Sequence, residues 1–398
     1  ASNCADSDGD GYGVGSDCFG SDCNDNNINI HAIISCNYNG STCGSYNSCI
    51  ASCVSPPAEV CGNLIDENCD GIIANCTPQQ NVTGIIFEDN FDGQVDWSPT
   101  QPVGGGQQNV CQPYSCTSTN NMTPAWTAYY IGGSYYSNAG HNTLNIDSTN
   151  HRGSSGKAFT HYSETCDTCG WSTNGGLMKQ FSVNGEPEVY LRYYKKFQPN
   201  WVWAAYPAEP QIKMTHIYSY WGYGSAFSFL NPPIRTIPLI IDKLNVWRSV
   251  SDKITNLAIS HYDASDAEIA ASFSSDNSPG SKYFPKPGGG DCVWSEVGCP
   301  GDGNWHSYQY YLKANSVVGV SDGEYKFWYD GQLILNKTGI RWATANASTS
   351  PRHLWNAFTF GANNYNKFAP QPSELEQWYA IDDVVVSTNY IPDNYIIP

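Results

Sequence analysis

Ten cysteines crowd the first 76 residues: Cys4, Cys18, Cys23, Cys36, Cys43, Cys49, Cys53, Cys61, Cys69 and Cys76. A stretch so short has too little apolar mass for a core of its own. Cysteine at this density reads as a disulfide framework formed in an oxidising compartment. The chain holds 16 cysteines, and the other six come as close pairs: Cys111/Cys116, Cys166/Cys169 and Cys292/Cys299. Cys166 and Cys169 also have half of a zinc-site spacing, but no second such pair follows, and disulfides are the favoured reading. Spacing does not set the pairing of the first ten. Six N-x-[ST] sequons, at Asn39, Asn75, Asn81, Asn121, Asn336 and Asn346, are compatible with secretion. The opening Ala1-Ser2-Asn3 resembles a mature end left by signal cleavage.

Charge divides the chain at the same place. Residues 1–80 contain ten acidic side chains and no Lys or Arg, and the first basic residue is Arg152. The step Thr77-Pro78-Gln79-Gln80 sets the boundary, giving a 1–80 module and an 81–398 domain. The formal net charge of -18 argues against nucleic acid as a partner. No apolar run approaches the roughly 20 residues of a membrane helix. Aromatic residues make up 14% of the chain, far too many for a disordered acidic polymer.

In the small module, Asp6, Asp8 and Asp10 alternate and Gly11 follows. Counting Asp6 as loop position 1, Tyr12 falls at 7 and Asp17 at 12, which are ligand positions of a calcium loop. Hard cations want six to eight oxygens, and alternate residues of a tight loop supply them. Asp17 stands where such loops carry Glu, and no flanking helices are predicted. Asp66, Asn68 and Asp70 repeat the spacing before Gly71, and Asp22 adds oxygen between the two runs. With no Lys or Arg nearby, Ca²⁺ is the expected counter-charge.

This segment resembles the Asp- and Cys-rich metal-binding repeats of the MopE type, and is similar to thrombospondin type 3 calcium loops. The resemblance rests on Asp6–Gly13, Asp17-Cys18, Asp22-Cys23, and the run from Glu59-Val60-Cys61 to Cys69-Asp70-Gly71. It implies a metal-stabilised extracellular spacer or anchor. The insertion from Ser35 to Pro57, with its four extra cysteines, departs from the repeat.

The larger part reads as strands and turns. Glu188–Phe197, Ser307–Lys313, Glu324–Tyr329 and Ala380–Ser387 are rich in aromatic and β-branched residues. Asp330-Gly331 is a hairpin signal. A short helix is expected near Ala264–Phe273. The whole predicts an all-β jelly-roll sandwich. Phe87–Gly93 and Ile381–Ser387 look like the first and last strands of concanavalin-A-like jelly rolls, which lie side by side. The resemblance implies a structural Ca²⁺ held by acids such as Glu88 and Asp382. The stretch Gly303–Asn315 followed by Asp322–Gly331 resembles the central hairpin of polysaccharide lyases of families 14 and 20.

Two functions compete. A lyase acting on a uronic-acid polymer by β-elimination needs a cation, a base and an acid on one sheet face. Candidates are Arg192, Lys213, His216 and Tyr310. Period-2 alternation groups Tyr190, Arg192, Tyr194 and Lys196, and separately Tyr308, Tyr310 and Leu312. It also groups Gln211, Lys213 and Thr215, with His216 opposite. Lys213 sits where those lyases carry a Lys-Leu-Pro-Gly run that this chain lacks. The other reading is structural. Trp201, Trp203, Tyr220, Trp221 and Tyr223 suit a sugar platform or an interface. The closing stretch Asn389–Pro398 is apolar and extended, suited to docking on its own domain or on a second copy, head to tail. The sequence favours a secreted, calcium-stabilised surface or matrix protein, self-assembling into filaments and carrying a carbohydrate-binding jelly roll. The lyase is the alternative.

Overall fold

Alternation decides the local structure. Along Gly323–Tyr329 every second side chain is buried and the rest are half-buried, the signature of a strand with one face on a core. A computed structural model describes residues 4–7, 9, 12, 14, 16–19, 33–38, 41–47, 82–99, 125–130, 143–166, 172–203, 211–219, 239–248, 254–260, 292–317, 319–342, 354–365 and 374–398. Among these there are strands and turns but no helix. The helix expected near Ala264–Phe273 lies outside the described residues. The chain divides into two compact units, Ala1–Gln80 and Asn81–Pro398.

In the first unit β1 (Ile33–Tyr38) and β2 (Ser41–Asn47) form an antiparallel hairpin. A disulfide joins Cys4 to Cys18, and Ala5 and Val14 form a β-bridge inside it.

The second unit is a sandwich of two antiparallel sheets; strand numbers follow the chain. The larger sheet runs β14 (Gln332–Ile340), β13 (Gly323–Tyr329), β12 (His306–Lys313), β8 (Glu188–Phe197), β16 (Glu374–Ser387), β6 (Ala158–Cys166), β5 (Leu144–Asp147). Strand β3 (Ile85–Asp89) also pairs with β16, so the first and last strands of the domain are neighbours. The smaller sheet runs β11 (Ile254–Ser260), β10 (Leu239–Arg248), β9 (Gln211–Tyr218), β15 (Ala357–Tyr365), β7 (Ser172–Gln180), β4 (Ala128–Tyr130). Successive strands β6 to β9, and again β14 to β16, alternate between the sheets. That crossing makes the sandwich a jelly roll.

The inner faces meet through aromatic rings. Tyr193 of β8 packs edge-on against Phe360 of β15 at 4.8 Å, and its hydroxyl lies 2.6 Å from Thr215 Oγ1 of β9. Tyr308, Tyr310, Tyr325 and Phe327 continue the layer, all fully buried. Burying a large side chain of this kind stabilises by roughly 1.5–3 kcal/mol. The hairpin predicted at Asp330-Gly331 joins β13 to β14, with both residues at positive φ (45° and 72°). That is the conformation a tight two-residue hairpin needs.

Trp201 and Trp203 belong to this core. They are 4% and 2% exposed and pack on Trp294, with Phe197 against Trp201. The expectation of a sugar platform there is corrected for these two residues, because their rings have no open face. Tyr220, Trp221 and Tyr223 lie outside the described residues.

After β16 the chain turns back over the outer face of the larger sheet. Ile391 and Tyr395 are buried there with Val385. Buried Arg192 donates to the Pro392 and Tyr395 carbonyl oxygens, at 2.5 and 2.7 Å. The closing stretch therefore docks on its own domain.

Candidate functional site

Each strand of a sandwich offers its inner face to the core and its outer face to whatever lies beyond. The four lyase candidates fall on different faces. Tyr193, Tyr308 and Tyr310 point inward, and Tyr310 is sealed in the core, its hydroxyl 3.1 Å from that of Tyr193. Arg192 alternates with Tyr193 and so faces outward, under the closing stretch. Arg192 and Tyr310 therefore stand on opposite faces of one sheet, and the expectation that they share a site is corrected. In β8 and β12 alternation groups residues correctly but does not say which group faces the core.

His216 lies on the smaller sheet. Its neighbour Thr215 points inward to Tyr193, so His216 points outward. The pairing of β9 with β10 slips between Thr215 and Lys213. This bulge breaks the strict alternation expected from Gln211 to Thr215. Met214 and Thr215 are both buried, with Met214 in the core. Met214 is the extra residue of the bulge, and the backbone of Lys213 beside it pairs with Lys243. Bulges of this kind re-aim side chains and recur beside functional sites.

On the outer face His216 stands across from Thr359 of β15, which in turn pairs with Met178 of β7. Two residues along β9, Tyr218 shares that face, and its hydroxyl lies 2.9 Å from Thr359 Oγ1. His216, Thr359 and Met178 are fully buried and Tyr218 nearly so. An imidazole, a phenol and a hydroxyl thus share one row, shielded from bulk water. Tyr218 was not among the sequence candidates as a chemical group. Its spacing of two from His216 on a strand was the available signal, masked by the run of aromatic residues that follows it.

The acids expected to hold calcium in the jelly roll have separate partners. Glu88 Oε2 accepts the Tyr395 hydroxyl at 2.5 Å. Asp382 accepts backbone N–H groups of Arg152 (2.9 Å) and Asp383 (2.8 Å). Burial, then the neighbouring Asp383 carboxylate, pushes the Asp382 carboxyl up to about 8. Among the described residues no three His, Cys, Asp or Glu side chains stand together as a metal-holding group.

In the first unit, Asp6 Oδ1 accepts the Gly9 N–H at 2.7 Å, folding the start of the acidic loop into a tight turn. The bridge between Ala5 and Val14 and the Cys4–Cys18 disulfide close its base. Asp8, Asp10, Asp22, Asp66, Asn68 and Asp70 lie outside the described residues, while Tyr12 and Asp17 lie within them. Of the paired cysteines, Cys292 and Cys299 form the expected disulfide. Cys111, Cys116 and Cys169 are outside the described residues, as is the side chain of Cys166.

No family model matches the chain, and no curated protein matches it. Solved structures similar to it include polysaccharide lyases with jelly-roll folds. The alginate lyase from Chlorella virus is 15% identical, covering 62% of this chain and 90% of that one, with a TM-score of 0.37. The marine PL-14 alginate lyase from Aplysia kurodai is 14% identical over 61% of this chain and 87% of that one, TM-score 0.37. The endo-β-1,4-glucuronan lyase from the fungus Trichoderma reesei is 12% identical over 62% and 87%, TM-score 0.35. Likeness of this size carries neither activity nor site residues to this chain.

Proposed function

We propose that the chain is a secreted polysaccharide-active protein whose jelly roll cleaves a uronic-acid polymer by β-elimination at the outer face of the smaller sheet. One observation carries the reading: His216 and Tyr218 share a shielded outer row beside a bulge at Met214, next to Lys213. In this reaction a base removes the C5 proton, the C4–O4 bond breaks, a C4=C5 double bond forms, and an acid protonates the departing O4. The His216 imidazole is suited to take the proton and the Tyr218 phenol to return one to O4. A lysine at position 213 supplies the charge that offsets the substrate carboxylate. Thr359 holds the Tyr218 hydroxyl in place. The small module is read as a Ca²⁺-bound spacer built on Asp6, Asp8, Asp10, Tyr12 and Asp17.

The closing stretch supports this reading over a filament, since its apolar residues already dock in cis. The test is release of unsaturated uronate, followed by ultraviolet absorbance, from alginate and from polyglucuronate. His216→Ala is expected to lower the rate by about 10²–10⁴-fold and Tyr218→Phe by a comparable factor. Absence of product from both polymers, or full activity in His216→Ala, overturns the assignment.

A further inference from the structure

The outer face of the larger sheet carries a second feature, remote from His216 because it lies on the opposite side of the sandwich. Four aromatic side chains meet there. Tyr190 of β8 lies 4.7 Å from Tyr311 of β12 and 6.4 Å from Trp328 of β13, centroid to centroid. Tyr390, from the closing stretch, joins them at 5.9 Å from Tyr190 and 5.7 Å from Trp328. Tyr390 is 42% exposed, Trp328 is half-buried, and Leu333, which pairs with Trp328 on β14, is 45% exposed. Tyr311 forms the floor and is nearly sealed.

Polar groups are set among the rings. Lys313 and Lys326 both pair with Glu324, at 3.1 and 3.2 Å. The Lys326 ammonium also lies 4.8 Å from the centre of the Tyr311 ring. Glu188 accepts the Tyr311 hydroxyl at 3.1 Å.

Size and charge narrow the occupant. Stable protein interfaces use about 20–30 residues a side, and this patch offers only a handful of apolar side chains. It matches instead a few flat rings with apolar C–H faces and hydroxyl edges. Both lysines are paired to one glutamate, and Glu188 adds a further negative charge. Two ammonium groups and two carboxylates cancel, so the patch offers an anionic polymer no net attraction, while a neutral one needs none. Aromatic rings with polar tips, and carboxylate and ammonium groups at their edges, are the complement of an uncharged sugar ring.

We propose that Trp328, Tyr390, Tyr190 and Leu333 form a binding surface for a neutral pyranose chain, with Glu324 and Lys326 bonding its hydroxyls. The surface needs no cleavage chemistry and stands whether or not the His216 row is catalytic. It would hold the protein on uncharged glycan while the other face meets its own substrate.

The experiment is electrophoresis of the full chain in native gels containing soluble β-1,4-glucan, β-1,3-glucan, mannan or alginate. At least one neutral polysaccharide should retard the protein, and Trp328→Ala should weaken that retardation about tenfold. Tyr390→Ala, on a segment outside the sheets, should do the same without altering the melting curve. His216→Ala should leave the retardation unchanged. Failure of every neutral glycan to retard the protein overturns the proposal. So does retardation by alginate alone, or retardation that survives both aromatic replacements.

Discussion

Two histidines on the inner face of the larger sheet show how differently one interior can treat one side chain. His161 of β6 is 1% exposed and His306 of β12 is 4% exposed. His161 stacks on Tyr379 at 4.7 Å, and its Nε2 meets the Gly175 carbonyl at 3.1 Å. Burial, then the nearby Lys195 ammonium, pulls it down to about 3 against the Gly175 carbonyl and its own backbone, so it is a neutral ring. His306 sits between two carboxylates, with Nδ1 2.7 Å from Asp330 and Nε2 3.0 Å from Asp302. Burial pulls it down as well, but the Asp330 and Asp302 carboxylates outweigh burial and hold it above its ordinary value. Both nitrogens face acceptors, so the ring is a cation. Burial alone neutralises an imidazole, and a carboxylate on each side reverses the outcome.

The largest expected effect comes from removing one of those carboxylates. Asp302 is itself enclosed, with 3% of its side chain exposed, and also accepts the N–H groups of Gly298 and Asn304. Asp302→Asn should destabilise the second unit by about 3–5 kcal/mol, because it leaves a buried charge half-paired. A denaturant titration measures this. A loss under about 1 kcal/mol, the scale of a surface ion pair, would mean that His306 is neutral and the contrast is wrong.

The two rings should also tilt the pH profile in opposite directions. His161 has a folded pKa below its unfolded one. Its contribution is present above about 6.5 and is lost as pH falls toward about 3. Within that window it should remove about 1.4 kcal/mol per pH unit. His306 has a raised folded pKa, so its contribution is full below the unfolded value and is lost as pH rises through the folded one. Melting curves of His161→Gln should show a flatter acid limb, and those of His306→Gln a flatter limb above neutrality. The same limb changing in both variants would break the comparison.

Much of this sandwich is legible in the sequence. The Asp330-Gly331 turn and the alternation in β8 and β12 follow from residue type and spacing, and the pairing of first and last strands from the resemblance to concanavalin-A-like jelly rolls. Sidedness is not legible. Tyr190, Arg192 and Tyr194 do share a face, but spacing is blind to the closing stretch that covers Arg192. Trp201 and Trp203 read as a platform because an exposed ring and a core ring have the same composition around them. The bulge at Met214 is a property of strand pairing, which no single strand encodes, and Met214 enters the core there. The sharpest sequence motif, Asp6 to Asp17, acquires from the structure a closed base and a tight first turn.

Arg192 extends the comparison to a buried cation held by carbonyl oxygens in place of carboxylates. It is fully buried, and burial lowers its pKa with partial relief from Tyr194 and Asp383. Its guanidinium bonds to the Pro392 and Tyr395 backbone, so its role is to hold residues 388–398 on the sheet. Arg192→Met keeps the aliphatic stem and removes both donors. Hydrogen bonds to charged groups contribute about 1.5–3 kcal/mol each, with part recovered because the desolvated charge goes too. The expected net loss is about 1–2 kcal/mol, smaller than for Asp302→Asn, since no buried charge is left behind. The loss should be local. Amide exchange should quicken at Tyr395, whose N–H is bonded to the Pro392 carbonyl, while the β12–β13 pairing stays protected. If the whole sandwich loosens instead, the closing stretch is part of the core's cooperative unit and not a strap laid over it.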